Sequence, residues 1–141
     1  MKNKHLWHLA LIAYIACTLW LTVFSRKPTL MAGSEWMPLW TYHAILNEGK
    51  RYLIADIANN ILMFIPVGML AGLLSKTYAW WRVLFFGMAM SLSIELLQLH
   101  LKRGLCETDD VIHNSLGCLF GYIMAVGIMK MRNKRYGSPI S

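Results

Sequence analysis

The chain has 141 residues, 57 % of them hydrophobic and only 15 % charged, with a formal net charge of +7. A mean hydropathy of +0.44 lies above the soluble range and puts this single-domain length in the membrane class. The basic excess would suit nucleic acid, but Lys and Arg fall mainly between and beyond the apolar runs. There they set topology and meet anionic headgroups, so nucleic acid is excluded as a partner.

Lys2 and Lys4 precede an apolar run from Leu6 to Phe24. A basic start before such a run also marks a signal peptide. No small-x-small pattern closes it before Ser25-Arg26-Lys27-Pro28, so an uncleaved transmembrane helix is expected over about residues 6–24. Residues 25–55 form the longest connection, broken by Pro28 and Pro38 and studded with Trp36, Trp40, Tyr42 and Tyr52. Such aromatics favour the headgroup zone. Pro38 to Leu46 reads equally as a short interfacial helix or as a loop resting on the membrane through its aromatics.

Asp56 opens a second helix over about 57–74, as its cap and dipole partner, with Asn59 and Asn60 in the first turn. Pro66 favours a mid-helix kink, and Gly68 and Gly72 offer a close-approach surface. After a short turn containing Lys76, a third helix spans about 79–101 between Trp80-Trp81-Arg82 and Lys102-Arg103. The fourth spans about 109–131 and ends in a basic tail, Lys130 to Arg135, expected to be disordered or lipid-facing. The predicted fold class is all-α: a polytopic bundle of four transmembrane helices with an interfacial, aromatic-rich first loop, in one domain covering residues 1–141. Cys17, Cys106 and Cys118 show neither a disulfide framework nor metal-ligand spacing, and only Cys106 falls in a loop.

Four spans put both termini on one side. Lys2, Lys4, Lys76, Arg82 and the tail give that side eight basic residues against six on the other, which favours cytoplasmic termini, with residues 25–55 and 102–108 outside. Helix two then starts, helix three ends and helix four starts at the outer face. At about 1.5 Å per residue, Asn60 lies about 6 Å below Asp56, Glu95 about 9 Å below Leu101, and Asn114 about 7 Å below Asp109. Three helices thus bring polar groups to similar depth.

Glu95 and Gln98 share one helical face, as do Asp110, Asn114, Gly117 and Gly121. An intramembrane carboxylate should face the bundle with a partner. The expected layer is Asn60, Glu95, Gln98, Arg103, Asp109, Asp110 and Asn114, with Glu95 and Gln98 meeting Asn60 and Asn114, and Arg103 balancing Asp109 or Asp110. It reads as a ligand site for a polar headgroup or a cation, or as a hydrogen-bond network that holds the bundle. His113 could join Glu95, Asp109 and Asp110 around a metal, but no tight ligand motif is present, and neither metal nor cofactor is expected. Ser91 and Ser93 lack a base at sensible spacing, and no catalytic residue is identified.

Three ordered motifs carry a family resemblance: Asn59-Asn60-Ile61-Leu62-Met63-Phe64-Ile65-Pro66-Val67-Gly68, Ser93-Ile94-Glu95-Leu96-Leu97-Gln98, and Arg103 through Gly117, closed by Gly121-Tyr122. Together with Pro38-Leu39-Trp40 they resemble the VanZ-like family over about residues 38–125. That family is named for a protein associated with resistance to the lipoglycopeptide teicoplanin. The resemblance implies an integral protein of the bacterial cell membrane, with membrane lipids or a lipid-linked envelope precursor as partners. It supplies a phenotype class and no mechanism. Three functions follow as expectations: a binder of a headgroup ligand, an intramembrane enzyme using Glu95 or Asp110 as acid–base, or a structural subunit.

Overall fold

The computed structural model describes residues 4–28, 33–75 and 79–136. Helix α1 (Lys4–Leu19) runs into a π-helical turn (Trp20–Phe24), followed by strand β1 (Gly33–Glu35) and helix α2 (Trp40–Asn47). Then come α3 (Leu53–Leu74), α4 (Trp80–His100), strand β2 (Leu105–Glu107) and α5 (Thr108–Tyr136). Four segments, Lys4–Phe24, Leu53–Leu74, Trp80–His100 and Thr108–Arg135, are long and apolar enough to cross a membrane. The fold is the all-α polytopic bundle that the apolar runs imply. Leu62, Phe85, Phe120 and Ile123 are exposed on its outside, apolar surface of the kind that lipid covers.

The bundle is built on α3 and α5, which pack along most of their length. A Cβ on Gly68 would overlap the carbonyl of Cys118, and one on Gly121 would overlap the carbonyl of Ile65. Only glycine lets two helix backbones come this close. On the far side of α5 lies α4, where the Cys118 thiol donates to the Val83 carbonyl at 3.4 Å. α1 lies against α3. There Pro66 leaves the Leu62 carbonyl without its usual donor, and the Tyr14 hydroxyl donates to the adjacent carbonyl of Met63 at 3.0 Å. The π-helical turn touches α4 and closes the ring. Inside it, Val23, Phe64, Val67, Ile94, Cys118 and Tyr122 form the core.

Several local expectations need correction. α3 begins at Leu53, its N-cap is Tyr52, and no side chain caps it. Asp56 therefore sits within the first turn, because buried Leu53 extends the apolar face below it. Of the two readings of the basic tail, disorder gives way to helix: α5 continues through Lys134 and Arg135, good helix formers that complement the negative end of the helix dipole. Residues 105–107 and 33–35 are paired strands in parallel register, Gly33 with Leu105 and Glu35 with Glu107, so Cys106 lies buried in a strand. Of the two readings of Pro38 to Leu46, the helix is the one found. Lys2, Lys76 and the residues after 136 lie outside the described residues.

Candidate functional site

One end of the bundle gathers the C-termini of α1 and α4, the N-termini of α3 and α5, and the β1–β2 pair. Of the predicted polar residues, Glu95, Gln98, Asp109 and Asn114 are each at most 3 % exposed there. Their partners differ from those expected. Gln98 Nε2 donates to the carbonyl of Thr22 at 2.9 Å. An Arg103 N–H group, at Nη1, reaches the carbonyls of Val23, Phe24 and Arg26 at 3.3, 2.6 and 2.9 Å. Together they satisfy carbonyls that the end of the first helix leaves without intrahelical donors. Arg103 is thus taken by backbone oxygens, and among the described residues it makes no ion pair with Asp109 or Asp110.

Asp109 has a different task. Its carboxylate accepts from the backbone N–H of Leu39 at 2.5 Å and of Thr41 at 2.9 Å. A buried anion from α5 thereby caps the N-terminus of α2, where the helix dipole favours negative charge. One turn further along α5, His113 Nε2 and the Tyr42 hydroxyl are hydrogen-bonded at 3.0 Å. α2 is pinned over the bundle end by two residues of α5. Glu95 accepts from the Glu107 N–H at 2.9 Å and fixes the approach to α5. Asn114 donates to Ser91 at 2.8 Å, and Asn60 donates to Asp110 at 2.5 Å.

A cavity of about 230 Å³ opens beneath α2. It is lined by Arg26 from the first loop, by Asp56, Asn59 and Asn60 from α3, and by Glu107, Asp110 and His113 from β2 and α5, with Thr41, Leu53 and Ile57 completing the wall. Of the predicted layer only Asn60 and Asp110 reach it. Glu95, Gln98, Arg103, Asp109 and Asn114 stand behind it, holding the elements that form it. Asp56, Asn59 and Asn60 occur at i, i+3 and i+4, a helical-face signal that could have enlisted Asp56. Arg26 and Glu107 lie outside helices, where no periodicity marks them.

The cavity is strongly acidic. Three carboxyl groups face one guanidinium, that of Arg26, for which Gly104 leaves room: a Cβ there would come to 3.2 Å from Nη1. Burial pushes the Glu107 carboxyl up to about 7, helped by the negative charges of Asp110, Asp109, Asp56 and Glu35. Burial also raises the Cys106 thiol, with Glu95 and Asp110 adding to the effect. Among the described residues the Glu107 carboxylate has no hydrogen-bond or ion-pair partner. His113, 1 % exposed, lines the same cavity with its Nδ1 unpaired. No three of the described His, Cys, Asp or Glu residues converge in a metal-holding arrangement.

A family model described as VanZ/LLP1 matches residues 11–130. The chain belongs to the VanZ/LLP1 family. No curated protein and no solved structure matches it. The region matched to VanZ/LLP1 takes in every residue that lines the cavity and every residue that braces it.

Proposed function

We propose that this VanZ/LLP1 protein binds the polar headgroup of a lipid or lipid-linked envelope precursor, at a site facing outward from the bacterial plasma membrane. Occupancy of that site would alter the access of lipophilic glycopeptides such as teicoplanin. The reading is carried by the cavity under α2, which is polar, charged, and placed at the ends of membrane-spanning helices. Its volume is below the roughly 300–1,000 Å³ of sites for drug-sized ligands, so a headgroup suits it and a whole glycopeptide does not. Exposed Tyr42 and Leu46 on α2 and Trp36 and Leu39 just before it are side chains that favour the headgroup zone from which a lipid would enter. The basic-residue balance supports cytoplasmic termini and hence an outward mouth.

Binding is better supported than acid–base catalysis. Of the two acids expected for catalysis, Glu95 is absent from the cavity lining and is engaged by the Glu107 N–H, whereas a general acid must reach the reacting group; Asp110 does line the cavity, where it accepts from the Asn60 amide. Native mass spectrometry of the protein released from membranes tests the reading. The wild type should retain a discrete set of lipids, and Arg26→Gln, at an exposed and therefore tolerant position, should lose them. Identical lipid complements in both proteins would refute it.

A further inference from the structure

The charge of the cavity narrows the ligand further, given the headgroup reading above. Among its described lining residues Arg26 is the one permanent cation, and Asp56, Glu107 and Asp110 are the acids. A purely anionic headgroup would find a single guanidinium facing three acidic groups. A neutral polyol would find hydrogen bonds but would leave the excess charge uncompensated. We infer that the cavity takes a headgroup carrying both a phosphate and a primary ammonium, the phosphate on Arg26 and the ammonium among Glu107, Asp110 and Asp56.

Four observations support this division. Arg103, a second guanidinium at this end, is occupied by three carbonyls and adds no anion site. Arg26 remains to meet a phosphate, the group that a guanidinium's planar array of donors matches. The Glu107 carboxylate has no partner among the described residues, although its neighbours Glu35, Asp56, Asp109 and Asp110 are all acidic. Glu107 and Asp110 are half-buried and Asp56 is exposed, and carboxylates partly withdrawn from water favour a cation beside them. The carboxyl groups do not converge as metal ligands do. An ammonium, with three donors on a compact charge, can satisfy acceptors spread around a wall. Beside them the unpaired Nδ1 of buried His113 offers a further polar contact.

The test uses the purified full chain in detergent with short-chain phosphatidylethanolamine, short-chain phosphatidylglycerol and free phosphoethanolamine as probes, with affinities read by calorimetry. Phosphatidylethanolamine should bind about tenfold more tightly than phosphatidylglycerol, the equivalent of one charge-assisted hydrogen bond. Glu107→Gln, which removes a carboxylate that holds no other group, should reduce that preference to near unity, and Arg26→Gln should weaken both lipids. Competition by free phosphoethanolamine would assign the preference to the polar group, and its failure to compete would overturn that assignment. Equal binding of the two lipids, or preference for phosphatidylglycerol, would overturn the ammonium site while leaving headgroup binding intact. Binding of neither lipid by the wild type would remove both.

Discussion

Gly121→Ala should loosen the α3–α5 pair that carries the site. A Cβ at this position meets the Ile65 carbonyl and lies 2.7 Å from the Met69 nitrogen. Non-bonded heavy atoms rest at about 3.5–4.0 Å, so the helices would have to part by at least about 1 Å, and a gap of even that size forfeits a quarter to a half of each neighbouring contact. Both obstacles are backbone atoms and cannot rotate away. The expected loss is therefore near the upper end of the overpacking range, about 3 kcal/mol. Gly127→Ala is the control, because among the described residues nothing beyond its own stretch of helix lies within 4 Å of a Cβ placed there. Thermal unfolding in detergent, followed by size-exclusion recovery after heating, should show Gly121→Ala lost well below the wild type and Gly127→Ala unchanged. Equal recovery of all three proteins would refute the close-packed α3–α5 geometry.

Glu107 gives the stability a pH dependence of definite sign. Its folded-state pKa is raised from 4.5 to about 7, so its contribution is fully present below 4.5 and is lost as pH rises towards 7. Melting temperature should fall across that window in the wild type and less steeply in Glu107→Gln; identical slopes would exclude Glu107 as the source. Asp109→Asn replaces an acceptor of two N–H groups by an amide with one acceptor oxygen, and charge-assisted bonds of this kind contribute about 1.5–3 kcal/mol. Amide hydrogen exchange at Leu39 and Thr41 should accelerate by about tenfold or more while α3 and α5 keep their protection, and unchanged exchange would show that α2 is held otherwise. For topology, an impermeant thiol reagent on intact cells lacking Cys17 should label Ser34→Cys and spare Lys134→Cys. The reverse pattern would invert the protein.

Helix parity carried most of what the sequence could reveal. Leu6 to Phe24 and the three later apolar runs locate the spans by length alone, and parity brings Asn60, Glu95 and Asn114 to one end. Pairing within that end was not legible. All but one of the carbonyls that Gln98 and Arg103 seek, those of Thr22, Val23 and Phe24, belong to the π-helical turn at Trp20–Phe24, and nothing in the apolar run before Ser25 marks where its hydrogen-bonding period changes. Once Arg103 is drawn there, Arg26 stands in its place beside the acids. Helical periodicity does not register this exchange, because both arginines lie between helices. The α2 cap from Asp109 spans a separation of 68 to 70 residues and is equally invisible to local patterns.

Glu95→Gln separates the cavity wall from what stands behind it. As a carboxylate lining the site, Glu95 would contribute charge, and its amide would abolish ligand affinity. Its observed duty is to accept the Glu107 N–H at 2.9 Å from a position only 2 % exposed. A glutamine retains an acceptor oxygen of the same reach, so the bond to β2 should survive. Folding yield should stay near wild type, and phosphatidylethanolamine affinity should change by less than about threefold, well short of the tenfold assigned to one charge-assisted bond. Glu95→Ala removes the acceptor, leaves a buried N–H unpaired at about 1–3 kcal/mol, and frees the strand that carries Glu107. That variant should lose both stability and the preference for the amine-bearing lipid. If Glu95→Gln folds normally yet loses affinity as completely as Arg26→Gln, the Glu95 charge acts on the ligand directly, and its assignment to the bracing layer is wrong.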